Sequence, residues 1–322
     1  MKRLIVINAL LALAAGTPAV AQTQLSGEER NAAVAYRHAM SALPDPLPDR
    51  FFGGPVEETE SGLQPWDEAK LGPILDANMS AIEELERAAK LPECDWGPES
   101  DRNAHGYVPF SMPARVLARL NTLYGMRQMA KGQSQDALDA WLDGVKFARD
   151  IGKGGPVILQ LIGHAALLPD LQAMTAAANA NKFSPRQKAQ ISAAIGALQP
   201  DVFDWSAAYG LEEAYSETFW NKVRAAKHPA SEYREISGTS MPRKYKCPTE
   251  IEVVAFRALT DKAQAGLREP PADADASLRQ LQDQINHSQL SLSLAVPSLV
   301  KINEARARVV TAREALLKAL GS

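Results

Sequence analysis

The sequence predicts an all-α protein made of stacked antiparallel helical hairpins, with about nine helices and no sheet. The first supporting observation is the stretch from Pro113 to about Ala178, where apolar residues recur at three- and four-residue steps. The second is that the links inside this stretch, at Gly132-Gln133 and at Lys153-Gly155, are very short. Such links require consecutive helices to run antiparallel and to pack side by side.

Helical and irregular segments alternate before this central stretch. A first helix is predicted to end at Leu43, because Pro44 follows it. Residues 44–73 are rich in proline and are predicted to be irregular. A helix from Ile74 to Lys90 and a loop from Leu91 to Met112 then lead into the central helices.

The third central helix opens at Gly155-Pro156, since proline suits a first helical turn. Pro169 lies inside its apolar pattern and predicts a kink or a break. His164 has apolar neighbours and is interpreted as a core histidine bonded to a backbone group, not as a ligand. The predicted buried face consists of Ile158, Leu161, Ile162, Ala165 and Leu168.

The C-terminal part carries two capping boxes, each a hydroxyl residue followed three positions later by Gln or Glu. They are Ser184 with Gln187 and Thr249 with Glu252. A long helix is predicted over residues 201–227, and residues 228–247 are predicted to be a polar, basic loop between two helical halves. The last two helices are expected at about 274–287 and 297–320.

The N-terminus indicates export. Lys2 and Arg3 precede an apolar run, and Ala19-Val20-Ala21 supplies the small residues that signal peptidase requires. Residues 1–21 are therefore predicted to be a signal peptide, with cleavage between Ala21 and Gln22. The apolar run is shorter than the about 20 residues that span a bilayer. We expect residues 22–322 to form one periplasmic or secreted domain without stable membrane insertion.

Charge argues against nucleic acid as a partner. The net charge is −3 for the whole chain. Removal of residues 1–21 takes away two basic residues, Lys2 and Arg3, and no acidic one, so the net charge becomes −5. A chain with this balance has no overall positive field to attract phosphate backbones.

The cysteines allow either a disulfide or two separate thiols, and the spacing of the histidines argues against a metal site. In an oxidising compartment Cys94 and Cys247 can form a disulfide, or they can be two separate buried thiols. The five histidines are scattered, and no pair has the spacing of a metal motif. Nucleophile motifs and glycine-rich phosphate loops are absent from the sequence, so neither a metal nor a cofactor is predicted.

The helix over residues 201–227 holds the candidate site. Five residues fall on one face of this helix, at steps of three or four: Trp205, Tyr209, Glu212, Ser216 and Trp220. Aromatic rings beside a carboxylate can line a groove for a peptide or a sugar. The alternative is that the rings belong to the core and the acids face solvent. Glu213 and Glu217 lie beside the stripe, and paired glutamates can act as acid and base in glycoside hydrolysis.

Two pieces of the chain resemble tetratricopeptide units. The small and aromatic positions of that motif match Tyr124, Gly125, Gly132, Ala137 and Trp141, and its second-helix half matches Ala32, Tyr36, Ala39 and Pro44. More broadly, the NAAVAYRHAMSALP, ECDWG, GQSQDALDAWLDGVKFARDIGKGGPVILQLIGHAAL and RARVVTAREALLKAL segments resemble a group of exported bacterial helical proteins without an assigned activity. This resemblance implies a fold and export, and it carries no catalytic residue.

Two functions follow as hypotheses. The first is a scaffold of the cell envelope that binds a protein or a peptide through a helical groove. The second is a hydrolase that acts on an envelope polymer through carboxylates of the 201–227 helix. Because no catalytic constellation is present in the sequence, the scaffold is the preferred hypothesis.

Overall fold

The computed structural model describes residues 30–60, 64–97, 110–198, 202–237, 240–241, 247–287 and 297–321. These residues form thirteen α-helices and one short 3-10 turn, and they contain no β-strand. The predicted all-α class is confirmed, whereas the predicted number of about nine helices is wrong. The predicted signal peptide, its cleavage site between Ala21 and Gln22, and the basic residues 243–246 lie outside the described residues.

The helices follow one another along the chain with short connections in its central part. They are α1 (Ala32–Ser41), α2 (Pro55–Glu60), α3 (Glu68–Asp76), α4 (Met79–Ala89), α5 (Ser111–Ala130), α6 (Ser134–Gly152), α7 (Val157–Asn179), α8 (Pro185–Gly196), α9 (Trp205–Ala225), α10 (Pro229–Ser237), α11 (Glu250–Gly266), α12 (Pro271–His287) and α13 (Leu299–Leu320).

The additional helices arise where the sequence was expected to be irregular. In the 44–73 segment, α2 begins at Pro55, a residue that is well suited to a first helical position. Helix α3 begins after Asp67, whose carboxylate accepts hydrogen bonds from the backbone N–H groups of Ala69 and Lys70. The 228–247 segment is likewise not a loop throughout, because it contains α10.

The helix predicted from Ile74 to Lys90 is in fact two helices. Helix α3 ends at Asp76 and α4 begins at Met79. Between them, the Asn78 side chain donates a hydrogen bond of 2.8 Å to the carbonyl of Ile74. This bond competes with the regular backbone pattern, which explains the interruption at this point.

Both predicted capping boxes are confirmed. The Ser184 hydroxyl accepts from the N–H of Gln187, whose side chain in turn accepts from the N–H of Ser184. Thr249 and Glu252 make the same reciprocal pair at the start of α11. These contacts are local in sequence, and they satisfy N–H groups that a helix start leaves without partners.

Helix α7 occupies the centre of the bundle, where it packs against α5, α6, α9 and α13. It continues through Pro169, so the break that this residue predicted is not found. The carbonyl that loses its helical donor belongs to Ala165, which is exposed and accessible to solvent. The predicted one-sided burial of α7 is also wrong: of the five residues named for that face only Ile162 is buried, and buried residues surround most of the helix.

Helix α7 is also long and apolar enough to cross a membrane by length and composition alone. About two thirds of its most apolar window (67%) is buried within the protein, which is typical of a core helix. Its apolar character is accounted for by the neighbours that cover it.

A buried polar group lies where α5, α6 and α7 meet. Asp170 of α7 has no exposed surface, and its Oδ1 accepts a hydrogen bond of 2.6 Å from the Thr122 hydroxyl. The Asn121 amide donates to the carbonyl of Ala140 at 2.7 Å. Burial raises the pKa of Asp170 well above its usual range, and nearby Glu60 raises it further. This rise in pKa favours the protonated, neutral form of the Asp170 carboxyl.

Gly144 of α6 lies directly against this polar group. A Cβ atom at this position would lie 2.1 Å from Asp170 Oδ2 and 2.8 Å from Asn121 Nδ2. We expect Gly144→Ala to lower the free energy of unfolding by about 1–3 kcal/mol, because the buried network must shift. The measurement is urea unfolding followed by circular dichroism. Gly196→Ala is the matched control, because nothing lies within 4 Å of its added Cβ. An equal effect of the two substitutions would contradict this packing.

The raised pKa of Asp170 leads to a pH-dependent prediction. The folded protein keeps the proton of this carboxyl to a higher pH than the unfolded chain, which releases it above about pH 4, so the carboxyl reduces stability as pH rises. Asp170→Asn removes the titration and keeps the acceptor for Thr122. We expect the unfolding free energy of the variant, relative to the parent, to increase from pH 5 to pH 7, by at most about 1.4 kcal/mol per pH unit. Asp283→Asn, at an exposed position, is the control. A pH-independent difference would show that Asp170 is ionised in the folded state.

Candidate functional site

The aromatic stripe predicted on α9 lies inside the protein. Trp205 and Tyr209 are 1% and 0% exposed and belong to the main core. Ser216 is also buried, while Trp220 lies in a second, smaller cluster with Val223 and Phe256. Helix α9 thus joins two cores, and these four side chains do not line an open groove in this structure.

The three glutamates of α9 each have a partner within the fold. Glu212 accepts a hydrogen bond of 3.0 Å from the backbone N–H of Val157, at the start of α7. Glu213 accepts one of 3.0 Å from the Gln264 side chain. Glu217 forms a two-pronged ion pair with Arg257, with N–O distances of 2.9 and 2.7 Å.

These contacts indicate that the three glutamates stabilise the fold. Burial raises the pKa of Glu212, and the backbone N–H groups of Val157 and Ile158 oppose that rise. Burial also raises the pKa of Glu213. None of the three faces a second carboxylate across a cleft in the described part of the chain, as acid–base hydrolysis requires. The hydrolase hypothesis gains no support from α9.

The two cysteines are free thiols in this structure, so they do not form the disulfide that was one of the two alternatives. Cys94 packs against the main core, whereas Cys247 packs against the second cluster around Trp220. Burial raises the pKa of Cys94 to about 12, with a further contribution from Asp150. A thiol with such a pKa is a weak nucleophile at neutral pH.

The histidine of the central helix lies in the protein interior. His164 is buried in α7, where its ring lies near the backbone of Ala305 in α13. Burial lowers the pKa of His164 to about 4, so the ring is neutral. Within the residues that the structure describes, no cluster of three His, Cys, Asp or Glu side chains could hold a metal ion.

A cleft of about 760 Å³ opens between α6, α7, α8 and α9. Ligand pockets commonly have volumes of about 300–1,000 Å³. The larger apolar side chains of its walls are Leu142, Val145, Leu198, Phe203 and Leu211. The charged residues that line it are Lys146, Arg149, Asp150, Lys153 and Asp204. Apolar walls with a few charged groups are typical of a ligand site.

The two carboxylates of the cleft are held by the protein itself. Asp150 accepts hydrogen bonds from the Tyr36 hydroxyl at 3.0 Å and from Lys146 Nζ at 2.5 Å. Its backbone carbonyl accepts from Trp96 Nε1 at 2.7 Å, which attaches the loop after α4 to the end of α6. Asp204 caps α9 through a hydrogen bond from the N–H of Ala207. Both acids are therefore structural.

Gln160 lines the same cleft from the first turns of α7. Its Nε2 donates to the carbonyl of Asp204 at 2.9 Å, which establishes the orientation of the side-chain amide. Its Oε1 has no hydrogen-bond partner among the described residues, although the side chain is only 2% exposed. A buried acceptor without a donor costs about 1–3 kcal/mol. Among the described residues that line the cleft, this oxygen is the one buried side-chain atom without a hydrogen-bond partner.

Close packing shapes the wall next to Gln160. A Cβ atom on Gly152 would lie 2.5 Å from the ring of Phe203, so glycine is required where the two meet. Val202 next to it has a φ of 66°, a conformation that a β-branched residue rarely adopts. Strained residues of this kind cluster at ligand sites.

Only part of this site has a local signal in the sequence. Lys146, Arg149 and Lys153 follow one another at three- and four-residue steps at the end of α6. The opposite wall comes from residues 194–198 and 202–211, and nothing local in the sequence indicates that it meets α6. The prediction instead selected α9 residues whose spacing fits a core equally well.

Comparisons with known proteins find no match: no family model fits the sequence, and no curated protein or solved structure is significantly similar to it. The likeness to tetratricopeptide units and to exported helical proteins therefore stays a prediction.

The contact between Glu212 and α7 leads to a test of its structural role. We expect Glu212→Ala to lower the free energy of unfolding by about 1 kcal/mol, because the first turn of α7 loses its acceptor. Glu212→Gln keeps an oxygen acceptor and should cost less. The measurement is urea unfolding, with Glu314→Ala, at an exposed position of α13, as the control. If Glu212→Ala costs no more than Glu314→Ala, the cap contributes nothing.

Proposed function

We propose that this chain is a peptide-binding scaffold of the cell envelope, and that an extended peptide segment occupies the cleft between α6, α7, α8 and α9. The observation that carries this proposal is the cleft itself, with its apolar walls, exposed cations and one buried acceptor without a partner. The envelope location rests on the signal sequence predicted for residues 1–21.

A peptide suits the chemistry of this cleft. Its side chains can pack on Leu142, Leu198 and Leu211, and its backbone N–H groups can donate to Gln160. Backbone donors are present in every peptide, so the buried acceptor can be satisfied without a particular side chain. Apolar walls then select among side chains by size.

The helical hairpins of this fold suit the role of a rigid wall for a peptide site. Helices α5, α6 and α7 are joined by short links, as in the tetratricopeptide units that their sequence resembles. We propose that these hairpins act as the rigid wall of the site, while α8 and α9 close the opposite wall.

A hydrolase is the weaker candidate. Asp150 and Asp204, the carboxylates at the cleft, are held by Lys146 and by the N-terminus of α9. A general acid or base must be free to exchange a proton with a substrate. Neither the cleft nor the glutamates of α9 offer such a group.

The proposal is tested by filling the cleft from one wall. Ala194 lines the cleft on α8, whereas its neighbour Ala193 is exposed and points elsewhere. We expect residues 22–322 to bind a fluorescein-labelled pool of degenerate hexapeptides, as measured by fluorescence anisotropy. Ala194→Trp should lose at least about tenfold in affinity, because the indole occupies the site.

The control for this experiment is Ala193→Trp, which adds the same ring to the same helix outside the cleft. It should bind the pool as tightly as the parent protein, and circular dichroism should show equal helicity for both variants. Equal binding by Ala194→Trp and Ala193→Trp would place the peptide site elsewhere. The absence of any binding to the parent protein would contradict peptide binding altogether.

A further inference from the structure

We infer that the cleft recognises the free C-terminal end of a peptide with an apolar last residue. The carboxylate of that residue would meet Arg149 and Lys153, and its backbone N–H would donate to Gln160. This inference rests on the proposed peptide-binding function and names the part of the peptide that is held.

The charges of the cleft favour an anion with a single negative charge. Its lining has three cationic residues and two acidic ones, a surplus of one positive charge. Lys146 is already paired with Asp150 at 2.5 Å, so it contributes little to an incoming ligand. Arg149 is exposed on the last turn of α6, and Lys153 is exposed directly after the helix ends at Gly152, so both can pair with a carboxylate.

The buried acceptor, Gln160 Oε1, favours the carboxylate of a peptide over a simple anion. Gln160 Oε1 needs a donor, since its own Nε2 is used by the carbonyl of Asp204. A sulfate dianion has no donor to offer, and the charge of a sulfate or a hydrogenphosphate dianion exceeds the surplus of the site. The last residue of a peptide carries its N–H on the same carbon that bears its carboxylate. It therefore matches both features at once.

The N-terminus of α7 is not the anion site. Glu212 already accepts from the N–H of Val157 there, so an internal carboxylate fills the position that an external anion would take. The cations at the end of α6 are what remains for a ligand. Apolar side chains around them, among them Val145 and Leu198, give the last side chain of the peptide a place to pack.

The experiment compares chemically matched peptide pools on residues 22–322. One pool of degenerate hexapeptides, labelled with fluorescein at the N-terminus, ends in leucine with a free carboxylate; a second labelled pool ends in leucine amide, and a third carries an N-methyl group on the leucine nitrogen. We expect the free-acid pool to bind about tenfold or more tightly than the amide pool. We expect methylation to weaken binding as well, because it removes the donor to Gln160. The readout is fluorescence anisotropy at low and at high salt.

Two charge variants identify the protein groups involved. Arg149→Gln with Lys153→Gln should reduce binding of the free-acid pool by about tenfold and leave the amide pool unchanged. Lys182→Gln with Arg186→Gln makes the same change of charge at exposed positions outside the cleft, and should change neither. The advantage of the free acid should fall at high salt, because exposed cations are screened.

The outcomes separate this inference from the function on which it rests. If the free-acid and amide pools bind equally and Ala194→Trp abolishes both, the cleft binds peptides but not their C-terminal carboxylate. If no pool binds, both the inference and the proposed function are wrong. If N-acetylleucine alone binds as tightly as the free-acid pool, the ligand is a small acid and the peptide is not required, which also overturns the inference.

Discussion

The burial of α7 is the constraint on which most of the structure depends. Because α5, α6, α9 and α13 cover it, its polar groups need partners from neighbouring helices instead of solvent. Glu212 of α9 accepts from its first turn, and Thr122 of α5 donates to Asp170. Helices α5 and α9 therefore each make a directional contact with α7 as well as an apolar one. Such contacts select one arrangement of the bundle over others of similar apolar area.

The same constraint creates the cleft. The short link between α6 and α7 brings the last turn of one helix next to the first turn of the other, so the cations of α6 stand beside Gln160. The first turn of α7 is neutralised by Glu212, which leaves those cations available. Helices α8 and α9 complete the enclosure because Phe203 packs closely on Gly152. The site is thus a consequence of how α7 is held.

Local signals were predictable from the sequence, and tertiary ones were not. The capping boxes at Ser184 and Thr249 depend on residues three positions apart, and they form as predicted. Burial of α7 could not be reduced to one face, because a helix that is covered on most sides has no apolar stripe to detect. The stripe of α9 is regular, yet Trp205 and Trp220 belong to different cores. Periodicity shows that a face is apolar and does not show what covers it.

The balance of satisfied and unsatisfied polar groups is the basis on which we propose binding and not catalysis. The carboxylates of α9 and of the cleft are held by hydrogen bonds or ion pairs that stabilise helix ends and helix contacts. Proton exchange with a substrate would compete with these contacts. Gln160 is the contrasting case, since its amide cannot act as an acid or a base and its oxygen lacks a donor. An acceptor of that kind can orient a ligand and has no proton to exchange, and for this reason we propose recognition for the cleft.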